Sequence, residues 1–169
     1  MPFLFLCAIL FLSCGKQSGP PETDLLTRTA TIQTEQTDRE ILQIAEDARR
    51  TLPIFFRHLS RPDSNEDGFC VKHPFMADDQ SGIVMEQIWL TDIYFKDGAY
   101  YGVLASSPMH LSGMKKGDTV TFEADLITDW MYVHNGKIAG GRSIKYLLEK
   151  IPESQRSEEQ RKTLQMFED

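Results

Sequence analysis

The sequence predicts an α+β fold: an N-terminal helix or helical hairpin packed on a curved antiparallel β-sheet, or on a partly open small barrel. Three observations carry this prediction. Ile41, Ile44, Ala45, Ala48 and Leu52 recur at helical spacing with polar residues between them. From residue 68 the period changes to two. Asp97-Gly98 and Asn135-Gly136 each lie between β-rich runs, where such pairs make tight hairpins and so antiparallel neighbours. Helix first and strands afterwards is the order of an α+β domain.

The first helix is announced by Thr37-Asp38-Arg39-Glu40, a capping box with Thr three residues before Glu, and is expected over about 38 to 51. Pro53 stops it or opens a second short helix carrying Ile54, Phe55, Phe56 and Leu59. "SRPDSNEDG" is loop. In "FCVKHPF" the side chains of Phe69, Val71, His73 and Phe75 share one side of a strand. "MADDQSG" is loop again. The long run "IVMEQIWLTDIYF" puts Met85, Trp89 and Ile93 on one face and Ile88 and Leu90 on the other. "KDG" turns it into "AYYGVLAS". After the loop "SSPMHLSGMKKGD", Val120, Phe122 and Ala124 alternate with Thr119, Thr121 and Glu123. "ITDWMYV" turns through "HNGK" into "IAGGRSIKYLLEK", which is expected to close the sheet. Gly98, Gly102, Gly140 and Gly141 mark bulges or corners where a small sheet bends. Ser157 to Phe167 reads as a short charged helix anchored by Leu164, Met166 and Phe167.

Composition narrows the function. A chain of 169 residues with 41% hydrophobic and 25% charged residues supports one packed domain and a tail. The net charge is -7 and no stripe of Lys and Arg is present, which argues against nucleic acid as a partner.

Residues 1 to 14 read MPFLFLCAILFLSC. The apolar run is shorter than the roughly 20 residues that span a bilayer and has the length of a signal-peptide core. Ser13-Cys14-Gly15, followed by polar residues, resembles the bacterial lipoprotein box. The resemblance implies that Cys14 becomes the lipidated first residue, carrying palmitate-type acyl chains. Each buried methylene adds about 0.8 kcal/mol of membrane affinity. Gly15, in place of an Asp, gives a mild preference for the outer membrane by the same resemblance. The expected organisation is a signal peptide over 1–13, a lipidated Cys and flexible tether over 14–36, an α+β domain over 37–150, and a charged tail over 151–169. Cys70 is then the lone thiol of the exported domain, so no internal disulfide forms. A buried, inert cysteine is the simpler reading of it.

The stretch from Ile41 to Leu148 resembles the YegJ-like family, a bacterial domain without an established activity. The resemblance rests on "ARRTLPIF", "FCVKHPF", "EQIWL", "GVLAS" followed by Pro108, "KGDTVTF" and "ITDWMYVHNGKIAGGRSI". Where that family often carries His, this chain has Gln87.

The last of those segments holds the candidate site. Trp130 and Tyr132 share a strand face, with Asp129, Met131 and Val133 on the other. The architectural reading has core aromatics, with Asp129 capping the turn or pairing with Lys137 or Arg142. The functional reading makes Trp89, Trp130 and Tyr132, with Asp129, the wall of a groove for a peptide or glycan, and Gly140-Gly141 let the ligand backbone approach. No metal or cofactor is expected: Cys70-x-x-His73 has ligand-like spacing but no second pair. Ser106, Ser107 and His110 lack a G-x-S-x-G frame, and Asp78-Asp79 and Glu86 are ordinary surface carboxylates. No phosphate-cradling glycine motif occurs. The expected function is a non-enzymatic, membrane-anchored domain binding a protein, peptide or envelope component. The alternatives are an immunity-type inhibitor of a toxin, and a hydrolase with a site built around His73, Glu86 and Asp129.

Overall fold

Alternation and turn chemistry build an open sheet that carries helices on both faces. The computed structural model describes residues 39–77 and 85–168. The leader, Cys14, the tether, Thr37-Asp38 of the capping box and Asp78-Asp79 lie outside the described residues.

Helix α1 is Arg39–Ser60, a single helix with Pro53 inside it. The break expected at Pro53 does not occur. Proline removes one backbone bond, at a cost of about 3 kcal/mol. Ala45, Ala48, Leu52 and Phe55 are buried on one stripe that runs through the proline, so a break would expose Phe55. Tertiary burial outweighs the local rule.

Six strands follow: β1 Glu66–Met76, β2 Met85–Lys96, β3 Ala99–Leu104, β4 Thr119–Phe122, β5 Asp129–His134 and β6 Lys137–Gly140. The order across the sheet is β4-β3-β2-β1-β5-β6, and every neighbouring pair is antiparallel. The sheet is curved and does not close into a barrel. Both hairpin turns form where Asp97 and Asn135 adopt left-handed backbone, φ 51 and 52, each ahead of its glycine.

Two bulges bend the sheet. One lies between Asp67 and Cys70 of β1, where Gly68 has φ 64. The other lies between Thr91 and Tyr94 of β2, where Asp92 has φ 48. An inserted residue reverses the facing of everything after it. Ile93 therefore joins Ile88 and Leu90, not Trp89 as strict alternation expected.

Alternate residues feed two cores. On the front face Val71, Ile88, Leu90, Phe122, Trp130 and Tyr132 pack under α1. On the back face Cys70, Trp89, Met131 and Ile138 pack under Ile144 and Leu148. Those last two belong to α2, Arg142–Lys150, a helix where continued strand was expected. The strand ends at Gly140, and Gly141, at φ 62, turns the chain into the helix. Burial of Ser143, Ile144, Leu147 and Leu148 follows the helical period. The expected tail helix is present as α3, Glu158–Met166, started by a complete capping box between Ser157 and Gln160. Phe167 is buried beside Ile138, so the tail packs as part of the domain. Among the described residues no helix is long and apolar enough to cross a membrane.

Candidate functional site

The Asp129 segment is built around the start of α2. A helix leaves its first amide N–H groups without partners, and a side chain at the cap ordinarily accepts from one of them. Gly141 holds the cap position and has no side chain to offer. Asp129 accepts instead from across the fold. Its Oδ2 receives the Ser143 amide at 2.7 Å, and its Oδ1 receives the Trp130 amide at 2.9 Å. The Ser143 hydroxyl also donates to it. A carboxylate here meets the positive end of the helix dipole.

Lys72 completes the arrangement. It is the direct cross-strand partner of Asp129 on β1, and of Trp89 on the β2 side. Its ammonium lies 3.4 Å from the Ser143 hydroxyl and 5.9 Å from the centre of the Trp89 ring. Both Lys72 and Asp129 are buried. Burial pushes the Lys72 pKa down, opposed by the Asp129 charge. Burial pushes the Asp129 pKa up, opposed by the Ser143 donors and by Lys72. Desolvation drives both shifts, and mutual attraction limits them. The expected pairing of Asp129 with Lys137 or Arg142 is therefore corrected. Lys137 donates to the Gln165 carbonyl and Arg142 to the Thr51 hydroxyl. Asp129 points to the back face, where β1 supplies the cation.

The aromatics are placed just as firmly. Trp130 Nε1 donates to the Ala48 carbonyl and the Thr51 hydroxyl, both at 3.1 Å, which ties β5 to α1. Tyr132 stacks on Phe69 and His58, each with ring centres 5.1 Å apart. Trp89 is fully buried on the opposite face, and its Nε1 meets no partner. The three rings thus belong to two separate cores and do not line one open groove. Gly140 sits hard against Trp130: an added Cβ would run into its carbonyl oxygen and approach its Cε3 to 2.7 Å. A Cβ on Gly141 would stand 3.0 Å from Phe167 Cε1. Side chains of this domain already take up the room these glycines were expected to leave for a ligand.

The other polar candidates are dispersed. His73 lies on the front face between Phe75 and Phe122, opposite to Asp129. Burial pushes its pKa down, against the pull of Glu123 and Asp125. Its Nε2 lies 3.5 Å from the Glu123 carboxylate. Glu86 accepts the amides of Met109 and His110 at 2.8 to 3.0 Å and so holds the loop between β3 and β4. His73, Glu86 and Asp129 form no joint acid–base site. Cys70 and His73 point to opposite faces, as three residues along a strand must. Among the described residues no cluster of three or more metal-ligating side chains occurs. Ser107 accepts the Lys116 amide at 3.1 Å, and Gln87 accepts from the Thr128 hydroxyl at 2.7 Å.

Lys72 and Ser143 are the members of the site that sequence reasoning missed. A lone Lys inside a run buried on both faces was the available signal for the first. A Gly pair followed by Ile144, Leu147 and Leu148 at helical spacing was the signal for the second. Some apolar side chains reach solvent. Met76 and Met85 are register partners at the end of the β1–β2 pair, 67% and 36% exposed, and Met109, at 64%, follows on the loop held by Glu86.

Comparison with known proteins identifies relatives of the chain. Residues 38–165 match the family model described as "uncharacterized protein conserved in bacteria (DUF2314)". The chain is 30% identical over 111 residues to the uncharacterized protein YegJ of Escherichia coli strain K12, covering 66% of this chain and 69% of that protein. It is 39% identical over 129 residues to a putative ankyrin repeat protein of Neisseria meningitidis serogroup B, covering 73% of this chain. The match spans 51% of that relative's length, so the chain covers about half of the Neisseria protein. No solved structure matches. With the family model covering most of its length, this chain belongs to the DUF2314 family of uncharacterized bacterial proteins, the family that includes YegJ.

Proposed function

We propose that this chain is a non-enzymatic, membrane-tethered domain that binds a protein, peptide or envelope component. One observation carries the reading. Asp129 and Glu86 are engaged in hydrogen bonds inside the fold, while Met76, Met85 and Met109 offer flexible apolar contact at one end of the sheet. Thioether side chains adapt to partner surfaces and suit such a role. Tethering rests on the Cys14 segment, with outer-membrane attachment the preferred form.

Two measurements test the reading. Radiolabelled palmitate should enter the wild-type chain and not Cys14→Ser; equal labelling removes the anchor. Met76→Glu/Met109→Glu should abolish enrichment of a partner from envelope extract while leaving the unfolding midpoint unchanged. Unaltered enrichment removes the methionine surface. A second reading, an immunity-type inhibitor that covers a basic enzyme cleft, draws support from the net charge of -7. It requires a basic partner whose binding weakens steeply with salt.

A further inference from the structure

We propose that the outer edge of β6 is a docking edge for an extended partner strand, and that the chain's own Phe167-Glu168 occupies it as a displaceable strap. β6 is the last strand of the sheet and pairs with β5 on one side. On its other side Phe167 bridges Ile138 in parallel, and the Glu168 amide donates to the Ile138 carbonyl at 3.1 Å. The Lys137 ammonium donates to the Gln165 carbonyl at 2.7 Å. These bonds engage the strap's backbone and are blind to its sequence. An exposed strand edge is a ready template for any strand that reaches it.

Selectivity comes from one pocket. Phe167 is buried against Ile138, Gly141 and Met131. Gly141, lacking a Cβ, leaves the ring its room. The Lys145 ammonium is 6.0 Å from the ring centre, and His134 Nδ1 lies 3.7 Å from the Glu168 carboxylate. The edge therefore selects an extended segment that carries an aromatic residue followed by an acidic one. This is β-strand addition with a single side-chain anchor. The helix that delivers the strap is shallowly seated. Of α3, Glu158, Glu159, Arg161, Lys162 and Gln165 are exposed and only Thr163 is buried. Releasing the strap uncovers the Phe167 pocket and the partly buried contacts that Leu164 and Met166 make beside it. This surface is distinct from the methionine end, so either can fail alone.

The test uses the full chain and a fluorescein-labelled peptide of its own residues 163–168, TLQMFE. In Phe167→Ala the strap no longer fills the pocket, and anisotropy should report at least tenfold tighter peptide binding than in wild type. The same peptide with Ala for Phe should bind neither protein. Equal binding, or none, in a Phe167→Ala chain that still unfolds cooperatively overturns the proposal. Native-state hydrogen exchange on the wild type gives a readout that needs no variant. The Glu168 amide should exchange by local opening, well before the β1–β5 amides. Exchange only with global unfolding makes the strap permanent structure and overturns the proposal.

Discussion

Replacing Asp129 with alanine removes four interactions at once. The Ser143 amide at the start of α2 and the Ser143 hydroxyl lose their acceptor, the Trp130 amide loses another, and Lys72 is left buried without its countercharge. Each stranded buried donor costs about 1–3 kcal/mol, and removing one partner of a buried ion pair costs about 3–5 kcal/mol. These losses overlap, since one carboxylate serves all of them, so the expected total is about 3–5 kcal/mol. Native domains are stable by only about 5–15 kcal/mol, so this change consumes a large share. Asp129→Asn keeps an acceptor oxygen for one of the two amides, sets an NH2 donor against the other and removes the charge; about 1–3 kcal/mol is expected. Lys72→Met in the Asp129→Ala background removes the stranded cation and should restore part of the loss, with a coupling of about 1–3 kcal/mol. Urea unfolding read by tryptophan fluorescence measures all five proteins, with Lys72→Met alone closing the cycle, because Trp89 and Trp130 are both buried. An Asp129→Ala change within about 1 kcal/mol of wild type refutes the cap and the pair together. A strictly additive cycle with Lys72 refutes the pair alone.

Other positions make equally direct predictions. Gly140→Ala should cost about 3 kcal/mol or more, since φ is +78 and a Cβ meets the Trp130 indole, whereas Gly98→Ala, at φ +81 in open space, should cost about 1–2 kcal/mol; equal thermal shifts would contradict this. Glu86→Ala should free the Met109 and His110 amides to exchange and expose the loop between β3 and β4 to protease, at about 1–3 kcal/mol of stability; unchanged protection would show that the loop is held by other contacts. His73 has a folded-state pKa below its ordinary 6.5, so the unfolded chain takes up the proton first. Its contribution is complete above about pH 6.5 and is lost as the pH falls through that value toward the folded pKa. His73→Phe should therefore lose less stability than wild type between about pH 7.5 and about pH 5, and an equal loss would assign the slope to other groups.

Legibility followed the range of the interaction. The hairpin turns were readable because Asp97-Gly98 and Asn135-Gly136 set their own backbone. The bulges were not, since one extra residue at Asp92 leaves no mark in a run whose Ile88, Trp89 and Leu90 are all buried. The break at Pro53 was a sound local expectation, overruled by Phe55 and the sheet beneath it. The polar cluster was the least visible. Lys72 and Ser143 are 71 residues apart, and their meeting depends on the β1–β5 register and on where α2 begins. No local pattern encodes either. Asp129 could be singled out from sequence; its partners could not.

That difference explains why the Asp-Trp-Met-Tyr segment looks like a site and acts as a joint. Alternation sends Trp130 and Tyr132 forward to α1 and Asp129 and Met131 back to α2. The Asn135-Gly136 turn returns β6 so that Gly140 lies on Trp130, and the Gly141 amide bonds the Trp130 carbonyl at 2.8 Å. Only a residue without a Cβ fits there. Gly141 then starts α2 in left-handed backbone and, as glycine, cannot cap the helix it starts. A carboxylate must reach the cap from elsewhere, and Asp129, next to Trp130, is the residue in place. Its burial would leave an uncompensated charge unless a cation stood opposite, which is the position of Lys72. A substrate seeking Asp129 would first have to displace the Ser143 amide and open the back core. The same constraints that make these residues conspicuous engage their polar atoms inside the fold, and the two recognition surfaces proposed above, the exposed methionines and the β6 edge, lie elsewhere.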